Sequence, residues 1–383
     1  MKKPISNKTW VEISERAIKK NVLGFRKQLG KEVAQMTVVK SNAYGHGLVP
    51  FAQAAARAGT DWFGVDNIDE ALELRRAKIT QPILVLGYTP HARLIDAAKN
   101  EISITVYNRE SVFAISKLVL STRKPLRVHV EIETGITRQG LSGKDLLDLA
   151  KSLQRISGVF IEGAFTHFAN IEDTTDSSYA ELQLKRFKDA LGQLAKIGVE
   201  PTVRHTACSA AAILFPQTYF NLARVGISSY GLWPSKETQA VAKRMNQVVV
   251  LYPVLTWKTM VAQIKSVQKG TPISYGLTER VQRDSKVAVI PVGYWDGFDR
   301  GLSSIAQVLI RGRRCKVLGR ICMNMCMVDV TDIPSIRPED EVVLLGAQGK
   351  DEVTAEEIAG KIGTINYEVV TRINPQLRRD VVA

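Results

Sequence analysis

The most constraining feature of the sequence is a regular alternation, between residues 33 and 230, of short apolar runs with amphipathic segments of helical period. Runs rich in Val, Ile and Phe predict strands, and the segments between them predict the helices that connect parallel strands. The predicted strands are Val33–Val39, Trp62–Val65, Ile83–Leu86, Ile102–Val106, Leu126–Ile132, Val159–Thr166, Thr202–His205 and Leu222–Val225. The predicted helices include Ile68–Arg76, Ser111–Leu120, Lys144–Gln154 and Tyr179–Ile197. This α/β pattern favours a (β/α)8 TIM barrel over an open sheet, because no dinucleotide-binding fingerprint accompanies it.

The second part of the chain has a different pattern, in which strands dominate from about Asn246. The predicted strands are Val248–Trp257, Val287–Val292, Ala306–Ile310, Cys315–Leu318, Met325–Val330 and Glu341–Leu345. One clear helix, Thr354–Ile362, interrupts them. We therefore predict a barrel domain over residues 1–240 and a mostly β domain over residues 241–383, with the first ten or so residues able to pack with the β domain.

Composition narrows the class of protein and its partners. The 383 residues are 45% hydrophobic and 23% charged, which is typical of a globular protein and excludes disordered, collagen-like and disulfide-scaffold chains. The net charge of +14 comes from scattered basic residues without interleaved aromatic residues, so we expect no nucleic-acid partner. The longest apolar run is about half of a membrane span, and the basic start lacks an apolar stretch. We expect no membrane segment, no secretory signal and a cytoplasmic location.

The four cysteines are Cys208, Cys315, Cys322 and Cys326. They form no C-x-x-C pair, which makes buried, reduced thiols a better interpretation than a zinc site. We therefore predict no bound metal.

Barrel enzymes carry their reactive groups at the carboxyl ends of the strands. The first predicted strand ends at Lys40, and the small, polar and Gly-rich loop Ser41–Gly47 follows it. A lysine with a desolvated stem at such a position is a candidate for forming a Schiff base with a carbonyl compound. A purely structural role at the end of the strand is the alternative.

The strand Leu126–Ile132 alternates, so His129 and Glu131 are predicted to point into the barrel. A carboxylate in that place needs a partner, and Arg138 in the following loop offers one. Alternatively, Arg138 anchors a substrate carboxylate, which guanidinium binds with two parallel hydrogen bonds.

Later strand ends carry further polar residues, namely His167, His205, Ser209, Arg224 and Gly226. Ser209 begins an Ala-rich helix and is either a helix cap or a phosphate ligand. The loops after the seventh and eighth strands are the usual phosphate site of a barrel. Together with Lys40, this set is explained most economically by a phosphorylated carbonyl cofactor, pyridoxal 5′-phosphate.

Nine sequence blocks occur in an order that resembles the alanine racemases, which are fold-type III pyridoxal phosphate enzymes. The blocks are VVKSNAYGHG, TGITRQGL, FTHFAN, HTACSAAAI, ARVGISSYG, ISYGLTER, VGYWDGF, GRICMNMCMVDV and INYEVV, and the similarity extends from Thr9 to the C-terminus. The resemblance implies an isomerase that interconverts L- and D-alanine for peptidoglycan synthesis. It also implies a homodimer in which the β domain of one subunit completes the site of the other.

The resemblance implies roles for individual residues. Lys40 would carry the cofactor as an internal aldimine, and Tyr275 from the other subunit would be the second catalytic base, held by His167. Arg224 would face the pyridine nitrogen, while Arg138 and the Met323 backbone would contact the substrate carboxylate and the cofactor edge. The phosphate would be held by Tyr44, Ser209, Gly226, Ile227 and Tyr367. Tyr294 and Arg300 resemble residues of an entry channel.

Three positions depart from the family pattern. Glu131 stands where many members have a carbamylated lysine, and we expect its carboxylate to supply the same negative charge to Arg138. Asn324 replaces the usual Asp, and Trp295 replaces a small residue of the entry motif. The bulky Tyr367 favours alanine over larger substrates. A racemase of broad specificity and a non-catalytic pyridoxal phosphate carrier are the alternative functions, and Arg224 disfavours a decarboxylase.

Overall fold

Strand β1 (Thr9–Ser14) precedes eight strands that are all parallel to one another. In chain order they are β2 (Ala34–Val38), β3 (Trp62–Val65), β4 (Ile83–Val85), β5 (Ile102–Val106), β6 (Leu126–Glu131), β7 (Val159–Phe165), β8 (Val203–His205) and β9 (Leu222–Val225). Their order in the sheet is β8-β7-β6-β5-β4-β3-β2-β9, so the last strand pairs with the first. The Arg224 N–H also donates to the carbonyl of Ala207 (2.9 Å), next to the remaining gap. The nearly closed sheet confirms the predicted TIM-barrel class.

Helices lie before, between and after these strands. They are Glu15–Leu29, Leu48–Arg57, Ile68–Arg76, Leu94–Lys99, Arg109–Leu118, Gly143–Gln154, Ser178–Lys196, Ser209–Leu214 and Lys236–Arg244. In Gly143–Gln154 the buried residues recur at helical spacing, as Leu146, Leu149, Ala150 and Leu153. Asn67 caps Ile68–Arg76, since its side chain accepts the Glu70 N–H. The predicted helices are confirmed to within two residues, apart from residues 119 and 120, which lie outside the described part of the chain.

The computed structural model describes residues 7–118, 124–245 and 249–383, which form two units. The barrel unit comprises Ala17–Ala43 and Leu48–Tyr252. The C-terminal unit comprises residues 7–16, the short segment Tyr44–Gly47 and Pro253–Ala383. The segment Tyr44–Gly47 therefore belongs by its contacts to the second unit, although it lies in the sequence of the first.

The C-terminal unit is built on an extended sheet with the order β11-β14-β17-β16-β15-β18-β10-β1-β20. Its strands are β10 (Leu255–Met260), β11 (Gln263–Val267), β12 (Pro272–Ile273), β13 (Glu279–Arg280), β14 (Ser285–Ile290), β15 (Gln307–Ile310), β16 (Arg313–Leu318), β17 (Cys326–Asp329), β18 (Glu341–Gln348), β19 (Asp351–Val353) and β20 (Arg378–Val382). Strand β1 pairs antiparallel with β10 and parallel with β20. Helices Ala355–Ile362 and Asn366–Thr371 complete the unit, which is mostly β as predicted.

Two expectations for this unit were wrong. Residues 249–254, predicted as strand, are not in a regular element, and the strand begins at Leu255, after Pro253, which has no N–H to donate. Val248 lies outside the described residues. The unit also contains a second helix, Asn366–Thr371, whereas only one clear helix was expected. The polar strand β20 has no apolar pattern of its own and forms because β1 pairs with it.

Within the described ranges no helix combines the length and apolar character needed to cross a bilayer.

The four cysteines are free thiols; Cys315 and Cys326 are buried as predicted, whereas Cys208 and Cys322 are partly exposed. Among the described residues no cluster of His, Cys, Asp and Glu side chains has the makeup of a metal site.

Candidate functional site

The carboxyl ends of the barrel strands gather the residues predicted for the barrel half of the site. Lys40 follows β2, Arg138 follows β6, His167 follows β7 and Ser209 follows β8. Arg224 lies within β9, and Gly226 and Ile227 come directly after it. Since parallel strands end at the same rim of a barrel, these side chains share one mouth.

The loop behind Lys40 is a left-handed turn. Ser41, Asn42 and Ala43 have φ values of 56°, 55° and 52°, and Tyr44 continues the turn at 50°. Such a conformation costs about 1–2 kcal/mol per non-glycine residue, so other contacts must hold it. The side-chain oxygen of Asn42 accepts the Leu48 N–H (2.9 Å), and the Asn42 N–H donates to Glu70 (3.3 Å).

Arg224 is buried and its guanidinium is fixed by neutral acceptors. Its Nη1 donates to the carbonyl (2.9 Å) and to the ring Nδ1 (2.7 Å) of His205. Its Nη2 donates to the carbonyls of Thr166 (2.8 Å) and Thr206 (3.0 Å). Burial lowers the pKa of Arg224 to about 10, which leaves it protonated at neutral pH. Among the described residues the Nε–H has no acceptor, so one donor is left for a ligand.

A chain of buried polar side chains continues from Arg224 into the barrel. The ring of His205 stacks on Phe165, and its Nε2 lies 2.9 Å from Nδ1 of His129. The other ring nitrogen of His129 lies 3.2 Å from the carboxylate of Glu162. Burial lowers the pKa of both histidines, and Arg224 lowers that of His205 further. Both imidazoles are therefore neutral.

Glu162 is the anionic end of this chain. Burial raises its pKa, but hydrogen bonds from His129 and Ser103 lower it, and the net shift is downward. The Ser103 hydroxyl lies 2.5 Å from the carboxylate. Gly163 makes room for His129, because a Cβ at Gly163 would lie 2.2 Å from its Nδ1.

His167 adjoins the guanidinium of Arg224, whose Nη2 lies 3.2 Å from the ring Nδ1. Burial and the nearby cations Arg224, Arg138 and Lys40 lower its pKa to about 3. His167 is therefore neutral, and its Nδ1 accepts a hydrogen bond from Arg224.

Ser209 is buried at the beginning of the helix Ser209–Leu214. Its Oγ accepts the N–H of Gly226 (2.9 Å) and that of Ser228 (3.4 Å). The hydroxyl does not cap its own helix, because the capping position is occupied by Cys208. The structure therefore does not support the helix-cap interpretation of Ser209, and its role as a phosphate ligand stays a prediction, with the hydroxyl proton available to an acceptor.

Glu131 is buried at the end of β6, where alternation places it. Its carboxylate accepts a hydrogen bond from the Gln139 side chain. The direct partner of Glu131 is therefore Gln139 and not Arg138, which was expected from the sequence. Arg138 itself has an exposed side chain and acts on Glu131 as a nearby cation. Burial raises the pKa of Glu131 to about 6, against the opposing effects of Gln139, Arg138 and Arg224.

The C-terminal unit holds the remaining predicted residues. The rings of Tyr44 and Tyr367 lie 6.1 Å apart. Tyr275 is 69% exposed and Met323 is 54% exposed. Their loops are neighbours, since the Ser274 hydroxyl donates to the carbonyl of Arg320 (2.5 Å).

The donor set of the barrel mouth fits pyridoxal 5′-phosphate. Lys40 offers an amine for an aldehyde, Ser209 offers a hydroxyl beside the main-chain N–H groups of Gly226 and Ser228, and Arg224 offers its Nε–H. These are the groups that an aldehyde, a phosphate and a pyridine nitrogen require.

Glu162 and Gln139 are functional-site residues that were not predicted from the sequence. A charged residue inside the apolar strand Val159–Phe165 is the signal that identifies Glu162, because a buried carboxylate needs partners. Gln139 lies in a loop without regular pattern, and nothing in the sequence connects it with Glu131.

Two family models match the chain. They are the alanine racemase N-terminal domain, over residues 13–234, and the alanine racemase C-terminal domain, over residues 254–381. An alanine racemase from Symbiobacterium thermophilum is 41% identical over 371 residues, which are 97% of this chain and 96% of the relative. Another, from Halothermothrix orenii, is 39% identical over 380 residues, which are 99% of this chain and 98% of the relative.

Solved structures agree with these matches over the whole chain. The alanine racemase from Bacillus anthracis with bound L-Ala-P has a TM-score of 0.92 at 37% identity, covering 99% of this chain and 96% of that one. The alanine racemase from Streptomyces lavendulae has a TM-score of 0.92 at 33% identity, covering 99% and 98%.

Proposed function

The chain belongs to the alanine racemase family, and from that premise we propose that it interconverts L- and D-alanine with pyridoxal 5′-phosphate as cofactor. The proposed catalytic bases are Lys40 and the partner subunit's Tyr275. The observation that carries the proposal is the shared barrel mouth of Lys40, the Ser209 hydroxyl and Arg224 with one unused N–H. The coenzyme, when bound, would withdraw electrons from the substrate and make its Cα–H acidic.

Racemisation requires proton removal at one face of Cα and proton return at the other. We assign one face to the amine of Lys40 and the other to the phenol of the partner subunit's Tyr275. A phenol acts as a base in its phenolate form, which a hydrogen-bond donor stabilises. We assign this role to the neutral His167, because its Nδ1 accepts from Arg224 and its proton is therefore on Nε2.

Arg224 tunes the reaction in this proposal. A protonated guanidinium that faces the pyridine nitrogen disfavours protonation of that nitrogen, which weakens the electron withdrawal. Its Nη groups are held by the carbonyls of Thr166, His205 and Thr206, so it cannot swing away easily. This arrangement favours proton exchange at Cα over side reactions that need a stronger electron sink.

The substrate and phosphate contacts complete the proposed site. Arg138 and the Met323 backbone would hold the substrate carboxylate and the cofactor edge, and Tyr44, Ser209, Gly226, Ile227 and Tyr367 would hold the phosphate. Bulky Tyr367 would restrict the substrate side chain to a methyl group. The enzyme would act in the cytoplasm and supply D-alanine for peptidoglycan.

A homodimer is part of the proposal, with the cofactor-binding domain (residues 1–240) of one subunit facing the β domain (residues 241–383) of the other. An exposed apolar surface on the C-terminal unit supports it. We call it the apolar surface, and its members are Tyr275, Leu277, Tyr294, Trp295, Met323 and Met325. Main-chain bonds hold its parts together, as the N–H groups of Tyr294 and Trp295 donate to the carbonyls of Cys322 (3.1 Å) and Met323 (2.9 Å). Such a patch marks an interaction site.

The test is to incubate the protein with pyridoxal phosphate and single L-amino acids and to measure each D-enantiomer by chiral chromatography. The proposal expects D-alanine as the main product. Similar rates with several amino acids would instead indicate a racemase of broad specificity. Cofactor binding without any D-amino acid would indicate a carrier protein.

A further inference from the structure

Arg379, four residues before the described C-terminus, makes an unusual set of contacts. Its guanidinium donates to five main-chain carbonyl oxygens within the C-terminal unit. They belong to Gly45 (3.0 Å from Nε), Asn374 (3.1 Å), Pro375 (3.0 Å), Leu377 (2.5 Å) and Ile373 (3.2 Å). Burial lowers the pKa of Arg379, because removing the charged guanidinium from water is unfavourable. The hydrogen bonds to the five carbonyl groups oppose this cost of desolvation.

The bond to Gly45 is the informative one, because it joins positions 334 residues apart in the sequence. Gly45 has a φ of +82°, and a Cβ there would lie 2.0 Å from the carbonyl oxygen of Val370. The main chain at Gly45 is therefore hydrogen-bonded to Arg379 and packed against the helix Asn366–Thr371.

That helix carries Tyr367, whose ring lies 6.1 Å from the ring of Tyr44. The two tyrosines thus lie on two segments, the turn before Gly45 and the helix Asn366–Thr371, that contact each other at Gly45. Because Tyr44 itself lies in a left-handed turn (φ 50°), its backbone would not keep this position without support.

We propose that Arg379 is a positioning residue that holds Tyr44 beside Tyr367 and so makes the site selective for the phosphorylated form of its cofactor. The inference rests on the proposed function, in which these two hydroxyls bind the phosphate. Preorganised donors bind an anion better than donors that must first be ordered. Pyridoxal, which has no phosphate, does not use these donors and serves as the reference ligand.

The experiment compares full-length wild type with Arg379→Met and, as a matched control, Arg378→Met. Arg378 is the exposed neighbour that pairs with Asp380. Each protein is freed of cofactor, and its dissociation constants for pyridoxal phosphate and for pyridoxal are measured by equilibrium dialysis. We expect Arg379→Met to weaken pyridoxal phosphate about tenfold and pyridoxal less than about twofold. Arg378→Met should leave both constants unchanged.

A merely structural role would weaken both ligands alike, so an unchanged ratio of the two constants in Arg379→Met overturns the inference. Arg379→Lys, which keeps the charge but not the planar fork, is measured in parallel and decides the question should the Met variant not fold. Arg379→Lys is expected to lower the ratio of the dissociation constant for pyridoxal to that for pyridoxal phosphate. A wild-type ratio overturns the inference. A wild type that fails to bind pyridoxal phosphate overturns the proposed function and this inference together.

Discussion

The Nη1 of Arg224 lies 2.7 Å from the Nδ1 of His205. This contact determines which ring nitrogens carry protons in a buried hydrogen-bonded series, called the relay here, that runs from Arg224 through His205 and His129 to Glu162. A guanidinium only donates, so Nδ1 accepts and the proton of His205 is on Nε2. That proton points to His129, whose own proton must then be on the nitrogen facing Glu162. The negative charge of Glu162 is thus transmitted through two neutral imidazoles to a cation whose direct partners are all neutral.

Gly163→Ala tests the relay. Its Cβ would lie 2.2 Å from His129, so the ring must move and its hydrogen bonds must break. We expect a loss of about 1–3 kcal/mol in the free energy of unfolding and a lower rate of racemisation. Gly192→Ala, in the helix Ser178–Lys196 with open space around it, should be neutral or stabilising in the same urea titration. Equal behaviour of the two variants would contradict the importance of the relay.

Glu131→Gln tests the buried carboxylate through pH. The pKa of Glu131 is raised from 4.5 to about 6, so the folded state holds the proton more tightly than the unfolded state. The contribution of Glu131 to stability is therefore present below pH 4.5 and falls by about 2 kcal/mol as the pH rises through 6. The difference in unfolding free energy between wild type and Glu131→Gln should decrease by that amount over this range. A difference independent of pH would show that Glu131 titrates normally.

Ser41→Gly tests the strain in the turn behind Lys40. Glycine adopts a φ of 56° without penalty, and Ser41 is exposed, so the variant should be more stable by up to about 1 kcal/mol. Ser152→Gly, in the ordinary helix Gly143–Gln154, should lose about 0.5–1 kcal/mol. Urea unfolding measures both, and a destabilised Ser41→Gly would mean that the turn is not strained.

Trp295→Glu tests the apolar surface. The side chain of Trp295 is 58% exposed, so a charge there should not harm the fold of one subunit but should oppose burial in a dimer. We expect light scattering to show a shift from dimer to monomer, with loss of racemase activity. Phe113→Glu, at a 63% exposed position of the barrel unit, should leave the mass unchanged. A wild-type dimer in Trp295→Glu would place the interface elsewhere.

The barrel could be predicted closely because its signals are local. Trp62–Val65, Ile102–Val106 and Leu222–Val225 have the predicted bounds, since a β-rich apolar run between turn residues is bounded on both sides by its own composition. The inward orientation of His129 and Glu131 followed in the same way from alternation along β6.

The features that escaped prediction depend on distant parts of the chain. Strand β20 owes its structure to β1, and Gln139 reaches Glu131 only through the path of a loop. The left-handed conformation of Ser41–Tyr44 is imposed by contacts such as that of Asn42 with Leu48, while the residues themselves prefer other backbone angles. None of these contacts leaves a periodic trace in the sequence.

The rate of D-alanine formation from L-alanine in the presence of pyridoxal phosphate, compared between wild type, Tyr275→Phe and Tyr252→Phe, tests the two-base proposal most directly. Tyr252 contacts Lys20 through its ring and has no place in the proposed chemistry. The proposal predicts racemisation by wild type and Tyr252→Phe, and a rate reduced by about 100- to 10,000-fold in Tyr275→Phe. A wild-type rate in Tyr275→Phe would contradict it.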